Sequence, residues 1–138
     1  MANYMATTRT NYFRVTDEEK YDQLIEGLTP KNNIRDFTKK DEDGTIWHGF
    51  GCMGSIDYCP QDNDECDFDA FIRELQKILP ENEAFILMES GYENLCYVVG
   101  FVAVVTKDKS KTIDMHTLAL ECAKEMLGNS DFRSRLDY

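Results

Sequence analysis

The sequence predicts a single α+β domain over residues 1–138: a ferredoxin-like β-α-β-β-α-β core extended by a fifth strand and a C-terminal helix, on a mostly antiparallel sheet. Three observations carry that expectation. The chain has 138 residues, within the roughly 100–200 that one core organises. Its apolar periodicities and turn signals alternate as β-α-β-β-α-β-β-α, with a helix–strand–strand unit at 17–52 and again at 68–105. Both strand pairs are spaced as hairpins, so their ladders are antiparallel. Right-handed crossovers then order the strands 5-4-1-3-2 and put both early helices on one face.

Residues 9–15, rich in β-branched and aromatic types, read as the first strand. Thr16 ahead of Asp17-Glu18-Glu19 has capping-box spacing, and Tyr21, Leu24, Ile25 and Leu28 form one helical stripe. Pro30 and Asn32-Asn33 close that helix. Residues 34–40 and 45–52 flank Asp43-Gly44, a pair suited to the positive φ angles of a type I′ turn. Gly49, Gly51 and Gly54 signal a bulge or another backbone passing close by. The polar stretch of about 55–67, containing Pro60, reads as a loop. Asp67 caps the second helix, whose apolar face is Phe68, Phe71, Ile72, Leu75, Ile78 and Leu79, and Pro80 stops it.

A second hairpin joins 84–89 to 96–106 through a turn at 91–94. The last helix runs from about Asp114 to Leu127, with Met115, Leu118, Ala119, Cys122 and Met126 inward and Gly128 as C-cap. The run from Val98 to Val105 is apolar on both faces, which is unusual for an exposed edge strand. The last helix is expected to cover its outer face, with a homodimer as the alternative.

Charge narrows the function. The net charge is −11, which repels a nucleic-acid backbone and excludes direct DNA or RNA binding. Residues 41–106 hold fourteen acids against two bases, a net −12, while the remainder holds thirteen bases against twelve acids. No base occurs between Asp41 and Ile72. The longest apolar run is half the ~20 residues of a membrane-spanning helix, and the first residues lack the charged-then-apolar pattern of a signal peptide. Five cysteines, an odd number, argue against a disulfide framework. A cytoplasmic protein without membrane contact is expected.

Chemistry finds few footholds. Cys52, Cys59 and Cys66 recur every seven residues near His48, but no pair has zinc-ligand spacing, so ordinary buried or free thiols are expected. Asp41-Glu42-Asp43-Gly44 and the acids at 62, 64 and 65 do not match a twelve-residue calcium loop. His48 reads as a half-buried strand residue and His116 as a surface helix residue, neither beside an evident nucleophile. Gly49-Phe50-Gly51 lacks the helix and lysine of a phosphate loop. No cofactor and no catalytic residue is expected. A small hydrolase using Asp and Glu is the last alternative, and it needs a carboxyl isolated in an apolar pocket.

The most pointed feature is the tract from Asp57 to Asp69, with six acids in thirteen residues. Helix capping accounts for Asp67 and Asp69. It leaves Asp57, Asp62, Asp64 and Glu65 unexplained, and crowded like charges cost stability. A partner-binding surface is therefore expected at Asp57, Tyr58, Asp62, Asp64, Glu65, Asp67 and Asp69, joined by Glu89 and Glu93. Such a surface suits a basic nucleic-acid-binding protein, whose phosphate cleft it would fill by imitation.

Four stretches resemble small acidic proteins carried by conjugative elements and phages of Gram-positive bacteria. They are residues 8–15 (TRTNYFRV) with Asp17-Glu18-Glu19; Trp47-His48-Gly49-Phe50-Gly51; Asp67-Phe68-Asp69; and residues 75–80 followed by Glu83-Ala84-Phe85-Ile86. The resemblance implies a mobile element, where acidic proteins of this size inhibit host restriction or CRISPR nucleases. It assigns no residue a role. The expected function is thus an acidic inhibitor of anti-restriction or anti-CRISPR type. The alternative is a non-catalytic module that self-associates or binds a partner through the apolar strand at 97–105.

Overall fold

The computed structural model describes residues 4–60, 65–94 and 96–134. The chain is α+β. In order it forms β1 (Met5–Thr10), α1 (Glu18–Glu26), β2 (Leu28–Thr29), β3 (Arg35–Asp36), β4 (Lys39–Lys40), β5 (Ile46–Trp47), β6 (Phe50–Met53) and β7 (Asp57–Tyr58). Then come α2 (Phe68–Gln76), β8 (Ala84–Glu93), β9 (Tyr97–Thr106), β10 (Ser110–Asp114) and α3 (Met115–Leu127). Six strands make one sheet in the order β10-β9-β8-β1-β6-β3, and each neighbouring pair is antiparallel. From β9 to β3 this is the order expected from the sequence.

One face of the sheet holds the core. Strand alternation turns Phe50, Phe85, Leu87, Ala103 and Val105 to that face, where Tyr21 and Leu24 of α1 and Phe71, Ile72 and Leu75 of α2 meet them. The rings lock edge to face: Phe13 against Phe85 at 5.1 Å and 87°, and Phe50 against Phe71 at 6.2 Å and 88°. Helix α2 has the cap expected, with the Asp67 carboxylate accepting the Asp69 amide at 3.0 Å.

The first strand lies earlier than expected. It ends at Thr10 because the Asn11 side chain takes over the ladder, donating to Ala84 O and accepting the Ile86 amide. The chain then leaves the sheet, and Phe13 returns only as a single bridge to His48. That bridge also splits the next hairpin. Pairs β3–β6 and β4–β5 keep one register, interrupted where His48 bonds Phe13 instead. The tip is a wider turn than type I′: only Gly44 has positive φ, at 89°. Asp41 holds it, its carboxylate accepting the Asp43 and Thr45 amides.

Other expectations need correction. Strand β8 runs on through Gly91 to Glu93, so of the expected turn at 91–94 only Asn94, at a φ of 35°, lies outside the strand. The 55–67 segment contains β7, paired to β2. Cys59 and Cys66 form a disulfide, leaving Cys52, Cys96 and Cys122 free. The odd cysteine count thus concealed a pair, and it no longer argues for a reducing compartment. No helix is long and apolar enough to cross a membrane among the described residues.

Candidate functional site

The opposite face of the sheet is open. Register places Ile113, Val102, Met88, Arg9, Gly51 and Arg35 in one row across all six strands, with Gly100, Ser90, Thr7 and Met53 in the next row. Together they floor a groove of about 790 Å³, walled at one end by Met115 and Leu118 of α3 and at the other by Phe37. Two glycines shape it. A Cβ at Gly51 would stand 2.5 Å from Thr8 O, and one at Gly100 would stand 3.0 Å from the Met115 side chain. Close strand packing and close docking of the helix start therefore both depend on these positions.

The groove has polarity along its length. Its β9–β10 end is aliphatic, while its β1–β3 end carries Arg9 and Arg35. The Arg9 guanidinium lies over the Phe37 ring at 4.8 Å and near Tyr12 at 5.8 Å, and Lys39 Nζ lies 4.1 Å from Tyr12. In a chain of net charge −11, this is a cationic and aromatic end on an apolar floor.

Helix α3 departs from the expected arrangement. Asp114 caps it and Gly128 ends it at φ 64°, as the sequence implies. Yet it buries no residue, and Met115, Leu118, Met126 and Leu127 are 50%, 56%, 82% and 60% exposed. Of the expected inward stripe, Met115 packs beside Gly100 and with Leu118 lines the groove, while Ala119, Cys122 and Met126 stay exposed. Nor is strand 97–106 the sheet edge, because β10 pairs along it through a turn in which the Thr106 hydroxyl accepts the Lys109 amide. β10 covers the edge; α3 covers only one end of the outer face.

The acids expected to bind a partner separate into groups. Asp57, Glu65, Asp67 and Asp69 are exposed around the start of α2, drawn together by the Asp67 amide donating to Tyr58 O at 2.9 Å and by the 59–66 disulfide. Arg73 reaches Asp67 at 3.6 Å. Asp62 and Asp64 lie outside the described residues. Tyr58 is not a surface residue: alternation in β7 turns it into the core, where its ring lies 5.6 Å from Phe71. Glu89 is half-buried and accepts from Tyr4 Oη at 2.8 Å and Ser55 Oγ at 2.9 Å. Burial and then this carboxylate push the Tyr4 hydroxyl up to about 12. Glu93, four residues further along β8, pairs with Tyr97 away from the α2 cluster.

His48 is fully buried rather than half-buried. Its Nε2 lies 2.6 Å from Glu18 Oε2, its Nδ1 lies 3.2 Å from Thr38 Oγ1, and its ring lies against Tyr21 at 4.0 Å, tilted by 34°. Hydroxyl, imidazole and carboxylate stand in line, but none of the three lines the groove, and they tie α1 to the hairpin. Among the described carboxylates, Asp43 is held down to about 2 by a hydrogen bond shared with the Asp41 carboxyl and by those it accepts from the Thr45 hydroxyl and amide. Lys77 and Lys20 lower Glu74. These shifts stabilise charge, the opposite of a general acid's need. No cluster of three or more His, Cys, Asp or Glu side chains is placed to hold a metal among the described residues.

Comparison with protein-family models, with curated proteins and with solved structures returns no match. Sequence reasoning missed the groove residues Arg9, Arg35, Met88 and Val102, because they converge only through the register of separate strands. The one signal available was that residues 98–105 are apolar on both faces.

Proposed function

We propose that this chain is a non-catalytic protein-binding module, an acidic inhibitor of anti-restriction or anti-CRISPR type from a mobile element. Its acids occupy the phosphate cleft of a basic nucleic-acid-binding host protein in the cytoplasm. The observation that supports this reading is the convergence of Asp57 with Glu65, Asp67 and Asp69, brought side by side on exposed positions across the 59–66 bridge. The ferredoxin-like reading of the core rests likewise on the β9-β8-β1-β6-β3 order and its antiparallel pairs.

The test neutralises Asp57, Asp62, Asp64, Glu65 and Asp69 to Asn or Gln and spares Asp67, which caps α2. Binding to restriction and CRISPR nucleases should be lost, with the fold retained. Affinity of the native chain should fall as salt shortens the Debye length from about 10 Å at 0.1 M to about 3 Å at 1 M. Neutralising the exposed Glu19, Glu26 and Glu81 should matter little. Equal losses from both sets would mean that net charge alone drives binding. A second reading, a module that grips a partner through strand Tyr97–Thr106, draws on the apolar groove behind that strand.

A further inference from the structure

We infer that the open sheet face and helix α3 cover each other between two copies of this chain, each helix lying in the groove of its partner. The inference is independent of the acidic-surface reading, because it uses the other side of the molecule. It starts from two surfaces that are each incomplete. Eight of the thirteen residues of α3 are apolar, a composition that belongs to a buried helix, yet among the described residues none of them is buried and only Leu120 and Ala123 are half-covered. Helices α1 and α2 are no more apolar, and they bury two and three residues. The groove is the converse, an apolar floor with one end walled by the first turn of α3 and the rest unfilled.

Charge selects the occupant. The groove adds Arg9 and Arg35, against the single acid Glu89, to its apolar floor, and α3 adds the exposed Glu121 and Glu125, against the half-buried Lys124, to its apolar stripe. Glu125 follows Leu118 by seven residues and Cys122 by three, so all three share one side of the helix. An apolar helix bearing two acids matches an apolar groove bearing two bases, and the chain holds both. Such a contact is isologous: in a two-fold pair each copy gives its helix and receives the other's, and both grooves are filled. An unlike partner would fill the groove and leave α3 exposed.

The test uses the full chain. Sedimentation equilibrium should give twice the 16.0 kDa chain mass. Leu118→Asp, at a position already exposed in the single chain, should give a monomer with an unchanged circular dichroism spectrum. The double variants R9E/R35E and E121R/E125R should each dimerise roughly tenfold or more weakly. Mixing them should restore a heterodimer, since the reversed groove of one variant then meets the reversed helix of the other, and the native groove meets the native helix. Three results would overturn the proposal: a wild-type monomer at high concentration, undiminished dimers of both charge variants, or variants whose mixing restores nothing. If the four reversals in one chain give a compact monomer with a protected helix, α3 closes on its own sheet and the second copy is not the occupant.

Discussion

The two faces of the sheet solve the same problem differently. On one face, α1 and α2 are amphipathic, each with a narrow apolar stripe that the strands' core-facing residues fill. On the other, α3 has eight apolar residues among thirteen and buries none of them. An apolar stripe needs a layer to pack against, and among the described residues α3 lacks a complete one. The covered face therefore gives the chain its stability, and the open face gives it a reason to associate.

Mutations at matched positions should separate the two roles. Leu75 is 0% exposed, and Leu75→Ala should cost roughly 2–5 kcal/mol in denaturant unfolding. Leu118→Ala should stay within about 0.5 kcal/mol for the dilute chain, with its effect confined to association. Equal losses at both positions would mean that α3 is already packed in the single chain. Between these extremes lies the acidic corner. Replacing Cys59 and Cys66 by Ser releases a short loop and should lower stability by about 2 kcal/mol on chain-entropy grounds. Guanidinium melts of the double variant against the oxidised parent measure this, and an unchanged midpoint would show that β2–β7 pairing holds the segment alone.

The covered face was largely legible. Helix α2 announces itself by Asp67 and by its stripe, which cap it and fill the core, although it ends at Gln76, short of Pro80. What escaped detection depended on partners distant in sequence. Strand β10, Ser110–Asp114, has one strongly apolar residue and reads as loop until its pairing to β9 is seen. Tyr58 looked like a surface aromatic among acids, because two-residue β7 is too short to reveal its alternation. Glu89 fell within the acidic segment but is held by Tyr4, eighty-five residues away. The groove needed the register of six strands at once, which no local pattern encodes.

Smaller effects follow from charge on the covered side. Glu74, between Lys77 and Lys20, is held below the usual carboxylate value. A depressed carboxylate contributes stability that is present above its unfolded value, about 4.3, and is lost as pH falls through its folded value. Stability should therefore decline below about pH 4, and Glu74→Gln should flatten that decline slightly, read from melting temperature against pH. A steeper decline in the variant would contradict the assignment. Its exposure keeps the effect small.

Hydrogen exchange compares the two faces in one experiment. Amides of α2 belong to the core and should exchange slowly at every protein concentration. Amides of α3 should be protected in concentrated solution and should lose that protection on dilution, in step with the fall in particle mass. Exchange of α3 that is fast at all concentrations, or slow at all of them, would contradict the claim that a second copy covers this face.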